Sequence, residues 1–149
     1  MTVARVLFIS LLTFFASAAL AIADEPIAIA DIVADPDPYH LRLVTLQGTV
    51  RQVKALEPYS QTSGTTCYGA YTFTLEDDTG LIGVAVLGVC GKPMIKAPDV
   101  VDGERVLVQA QILAPGHSGP SGGSGGRITL GGDQDKVRAV ASAISHLGE

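Results

Sequence analysis

Three stretches between Val44 and Leu113 alternate apolar and polar residues with period two, the pattern of half-buried strands, separated by a polar loop at 55–66 and a short connector at 91–103. In the first stretch Val44, Leu46 and Val50 fall on one side, with Thr45, Gln47, Thr49 and Arg51 on the other. Gly48 lies on the apolar side, where a missing side chain lets a strand bend sharply, and the slip at Gln52-Val53 predicts a bulge. Pairing Glu76 with Leu81 around the turn Asp77-Asp78-Thr79-Gly80 sets Leu75 against Ile82, Phe73 against Val84 and Tyr71 against Val86. A fourth strand spans Glu104 to Leu113, with Val106, Val108, Ala110 and Ile112 inward, and a short fifth one Arg127 to Leu130. Ile27 to Val33 predicts a short helix, stopped at Asp35-Pro36-Asp37-Pro38. Lys136 to Leu147 places Val137, Val140, Ala141, Ile144 and Leu147 at helical spacing, which predicts an amphipathic C-terminal helix between Asp135 and Gly148.

The hairpin register has a further consequence: it sets Cys67 opposite Cys90. Two cysteines facing each other across antiparallel strands can meet disulfide geometry with little bending of the backbone. Closing that loop would stabilise the fold by about 3 kcal/mol in the chain-entropy view. The two cysteines do not form a C-x-x-C motif, so a structural bridge is expected rather than a catalytic thiol.

Val44-Thr-Leu-Gln-Gly-Thr-Val50, Tyr71-Thr-Phe-Thr-Leu-Glu-Asp-Asp-Thr-Gly80 and Val101-Asp-Gly-Glu-Arg-Val-Leu-Val108 together resemble the OB-fold. More closely, they resemble exported bacterial OB-fold proteins that open with a helix and a loop leading to a tyrosine and a V-T-L-x-G-x-V strand. The resemblance covers about residues 27–130. It implies an all-β, five-stranded Greek-key barrel, here with a minimal connector between strands 3 and 4 and a glycine-rich loop between strands 4 and 5. It says little of function, because OB-folds serve many unrelated ligands.

Residues 1–23 carry one charge, Arg5, then an apolar run and Ala21-Ile22-Ala23, which is the form of a secretory signal cleaved before Asp24. The apolar run is short for a retained membrane span. Residues 24–149 then form one domain, with a flexible Gly/Ser-rich loop at 115–126, in a periplasmic or secreted protein. Losing Arg5 leaves 9 basic against 15 acidic residues, a net charge of −6. No basic stripe marks a polyanion partner.

The chemistry an enzyme would need is not visible. Gly122-Gly123-Ser124-Gly125-Gly126 matches G-x-S-x-G in form, but a nucleophile elbow needs a strand-to-helix turn that this glycine tract does not predict. The same tract resembles a calcium-binding nonapeptide repeat, with Arg127 where aspartate is required. His40, His117 and His146 are scattered; only if two met near the loop, with Asp133 or Asp135, could they hold a divalent ion. Asp77 and Asp78 read as turn formers, and Asp35 and Asp37 as a proline-punctuated loop or calcium ligands. No cofactor is expected, and the protein reads as non-catalytic.

What remains is a surface. OB-folds bind ligands across strands 2 and 3, flanked by the 1–2 and 4–5 loops. The outward side of the hairpin carries Tyr68, Ala70, Thr72 and Thr74 opposite Val89, Leu87, Ala85 and Gly83. Tyr59, Tyr68, Thr72, Leu87 and His117 are therefore the candidate contacts to a protein or small ligand. Single-stranded nucleic acid is the rival partner, with Arg51, Lys54, Arg105 and Arg127 as phosphate contacts and Tyr59 and Tyr68 as stacking rings.

Overall fold

A computed structural model describes residues 25–61, 63–93, 97–116 and 135–148. The expected signal segment, His117, the strand at 127–130 and most of the glycine-rich loop lie outside them. The elements are α1 (Ile29–Ala34), a 3-10 turn at Asp37–Tyr39, β1 (Leu43–Ala55), β2 (Tyr59–Ser60), β3 (Thr66–Tyr68), β4 (Tyr71–Glu76), β5 (Leu81–Val86), β6 (Val89–Cys90), β7 (Arg105–Leu113) and β8 (Arg138–His146).

Five strands close a barrel in the order β1-β4-β5-β8-β7, and β2, β3 and β6 make a separate small sheet. Neighbours in the barrel are antiparallel except β5 and β8, which run parallel. This is an OB-type barrel. β1 serves both sides of it, pairing with β7 over Leu43–Thr49 and with β4 over Thr49–Ala55. At the changeover Gly48 brings its Cα so near β4 that a methyl group there would lie 2.4 Å from the Glu76 carbonyl oxygen.

The predicted bulge is present. Register slips between Arg51 and Lys54, and Gln52 takes a positive φ of 53°. The Asp102 carboxylate accepts the freed N–H groups of Gln52 and Val53, at 3.1 and 2.8 Å. The hairpin keeps the expected register from Tyr71↔Val86 to Glu76↔Leu81. Tyr71, Phe73, Leu75, Ile82 and Val84 fill the core with alternate residues of β1 and β7. Six residues of helix are marginal alone. Burial of Ile29 and Ile32 against the barrel end holds α1, and the β4–β5 turn caps it: Asp77 accepts the Ile29 N–H and Thr79 Oγ1 that of Ala30.

The C-terminal segment corrects the sequence expectation: it is a strand, not a helix. β8 lies between β5 and β7, with Ala139 fully buried and Val137, Ala141 and Ile144 packed on the core. Opposite β7 the register slips between Gln109 and Ala110, so the inward phase moves from odd residues to Ile144. A strand with that slip presents 137, 141 and 144, which is also the i, i+4, i+7 signature of a helix. Pairing along both edges decided between them.

Candidate functional site

The outer face of the β4–β5 hairpin is built from small side chains. Thr72 opposes Ala85 and Thr74 opposes Gly83, between β1 and β8. Thr72 and Thr74 are half-buried, Gly83 is exposed and Ala85 is buried. Ala70, expected outward, is buried too, because Gly69 at φ 74° breaks the alternation between β3 and β4. Across the sheet, Arg51 of β1 pairs with Thr74 and Lys54 with Thr72, while Arg138 of β8 pairs with Gly83. Register thus gathers three cations around a neutral trough. Arg51 is already engaged, donating from Nε to Glu76 Oε2 at 2.6 Å, and Arg138 Nε is enclosed with no hydrogen-bond partner among the described residues.

The small sheet sits at one end of this face. Cys67 pairs with Cys90, with Cα atoms 3.9 Å apart and the sulfurs in disulfide contact. Gln61 Nε2 donates to Cys90 Sγ at 3.4 Å. Tyr68 opposes Val89, and Leu87, in the two-residue link between β5 and β6, is exposed. Tyr59 opposes Cys67. Directly opposed side chains share a side and successive ones alternate, so Tyr59 and Tyr68 lie on opposite faces of the small sheet. The two rings therefore cannot form one stacking platform. Tyr68 and Val89 share one side of the small sheet, with the exposed Leu87 two residues before Val89, and Tyr59 takes the other side.

The two described histidines, His40 and His146, do not converge. His40 Nδ1 accepts the Ala114 N–H and bridges to Ile112 at one end of β7, whereas His146 pairs with Val106 near the other. Six residues of strand separate those points, about 20 Å. Among the described residues no three His, Cys, Asp or Glu side chains group as metal ligands. His146 Nδ1 donates to Glu104 Oε1 at 2.5 Å; that bond, then the Val101 N–H, holds Glu104 below the ordinary carboxylate range.

Two further groups are perturbed. Burial first, then its hydrogen bond to Asp99, pushes the Tyr71 phenol well above its ordinary range. At Asp77 burial pushes the carboxyl up, but hydrogen bonds from Thr79, Ile29 and Gly80 outweigh it and hold it below the usual value. Both are structural: Tyr71 anchors the β6–β7 connector, and Asp77 ties the turn to α1.

A cleft of about 640 Å³ opens beside β1, at the β4–β5 turn end of the barrel. Residues 26–28 of the N-terminal segment, Gln47, Gly48, Thr49 and Arg51 of β1, Glu76 to Thr79 and Arg105 line it. None of the four described contacts expected from the sequence, Tyr59, Tyr68, Thr72 and Leu87, is there. Arg51 and Arg105 stood out as charges, but their convergence depends on Thr49 pairing with both Glu76 and Arg105. Only the register shows that.

Strand order and the single parallel pair place the protein among OB-type barrels. No protein-family model matches the chain, and no curated protein matches it in sequence. Among solved structures it is similar to a protein described as an aspartyl-tRNA synthetase from Leishmania major Friedlin, with a TM-score of 0.51 and 9% identity. The match covers 88% of this chain and 22% of that one, so the chain spans about a fifth of its length. At this identity the likeness concerns the fold alone. No helix of the described residues is long and apolar enough to cross a membrane.

Proposed function

We propose that this is an exported, non-catalytic binding module that takes a protein or small ligand on the outer face of the β4–β5 hairpin, at the end carrying Tyr68, Thr72 and Leu87. One observation carries the reading. The C-terminal segment is spent as a barrel strand and α1 docks at the turn, so no helix among the described residues lies over this face. Leu87 and Val89, 45% and 48% exposed beside Tyr68, supply an apolar edge of the kind partners cover. Export is supported by the pattern of residues 1–23 and by the paired cysteines, which suit an oxidising compartment. A pull-down comparing wild type with Leu87→Asp tests the face: the variant should fold and lose its partner. Equal recovery by both proteins sinks the proposal.

Nucleic acid is the second reading, favoured by Arg51, Lys54 and Arg138 meeting around the trough and opposed by the net negative charge. Contacts to phosphate release counterions, so binding must weaken steeply with salt. Titration of a labelled single-stranded oligonucleotide at low salt separates the readings. No binding at micromolar protein removes nucleic acid.

A further inference from the structure

We infer that the cleft beside β1 is a second binding site, separate from the hairpin face, for the free carboxyl end of an extended peptide. The backbone gives the first reason. Even-numbered residues of β1 turn their polar groups toward β7, as Val50 does in donating to Glu104 O and accepting from Gly103 N, both at 2.8 Å. Odd-numbered residues face the other edge: Thr45 O accepts the Ile27 N–H at 2.9 Å, and Thr49 opposes Glu76. Gln47 lies between them, so its N–H and C=O face the cleft, and no described backbone group pairs with them there. This is an open strand edge, where an incoming chain can add main-chain hydrogen bonds. The gap from Thr45 to Thr49 is about 13 Å, enough for about three residues of extended chain and too short for a long strand. It suits a chain end.

The side chains give the second reason. Glu76 holds Arg51, and Asp77 is occupied by the turn and α1. Arg105 is exposed and has no partner among the described residues, so a guanidinium is the free cation of the cleft. A guanidinium fork matches the two oxygens of a carboxylate. The half-buried Gln47 amide and Thr49 hydroxyl beside it are neutral donors that no described side chain uses. Asp78 also lines the cleft and has no partner among the described residues; its charge opposes any anion, a polyanion most of all, so Arg105 has to outweigh it.

Titration of the ¹⁵N-labelled protein with tri-alanine, and separately with its C-terminal amide, tests this at low salt. The acid should shift the amides of Gln47, Thr49 and the β4–β5 turn. The amide form, and the acid with Arg105→Gln, should bind about tenfold more weakly or worse, as expected for one charge-assisted pair. Leu87→Asp should bind tri-alanine like wild type, which keeps this site distinct from the hairpin face. Arg105 is exposed, and the same spectra report whether its variant is folded. Equal binding of acid and amide, full binding by Arg105→Gln, or no shifts at the cleft overturns the inference.

Discussion

Single atoms decide several features of this barrel. A Cβ at Gly48 would meet Glu76 backbone, which has no rotamer to give way. Gly48→Ala should therefore destabilise by about 1–3 kcal/mol, read as a lower urea midpoint at unchanged slope. The alternation marked Gly48 as a bend, but the carbonyl it approaches belongs to a strand 28 residues on and left no trace in the local pattern. Asp77 was legible only as a turn former. Its role in capping α1 comes from Ile29, far off in sequence and brought close by burial. Because its folded pKa lies below the ordinary 3.8, Asp77 stabilises the fold above that value and loses the contribution as pH falls through the lower one. Asp77→Asn should melt lower at pH 7, and the gap to wild type should narrow below about pH 4. Tyr71 has the opposite sign. Its raised folded pKa stabilises below pH 10 and is lost as pH rises beyond it, so wild type and Tyr71→Phe should differ by about 1 kcal/mol at pH 7 and converge in alkali.

Elements with one period and local partners could be read from the chain. The hairpin register, the bulge and the facing cysteines all follow from alternation plus one turn. β8 could not, because a register slip gave it a helical spacing and its partners, β5 and β7, are distant in sequence. Hydrogen exchange provides the check: β8 amides, bonded on both edges, should be protected like those of β5 and β7, whereas a helix lying outside the barrel would exchange earlier. Replacing Cys67 and Cys90 together by serine should cost about 3 kcal/mol. The barrel should survive, since β2, β3 and β6 form their own sheet, while Tyr68 and Val89 lose their fixed relation. A barrel that unfolds with the bridge would contradict that division.

At the scale of the whole molecule, the OB-type barrel was visible in the sequence and the sites on it were only partly so. Outward threonines and cations could be assigned to strands, but which of them meet depends on how five strands close, and the cleft is made by four segments far apart in the chain. If the chain is exported as proposed, protein recovered from an oxidising compartment should begin at Asp24 and lack two thiol protons. An intact Met1 or two free thiols would contradict that.

The parallel pairing of β5 with β8 also imposes an order of arrival. Gly83 finds Arg138 only after the 54 residues between them have emerged. Until then β5 and β7 each present a bare edge, and the barrel stays an open sheet. Completion depends on long-range closure, which makes folding slow, in the range of about milliseconds to seconds. A chain that delays its own closure in this way passes through a stage in which two strand edges lie open to other chains. Ending it at residue 135 should leave a sheet with two unpaired edges that aggregates instead of folding.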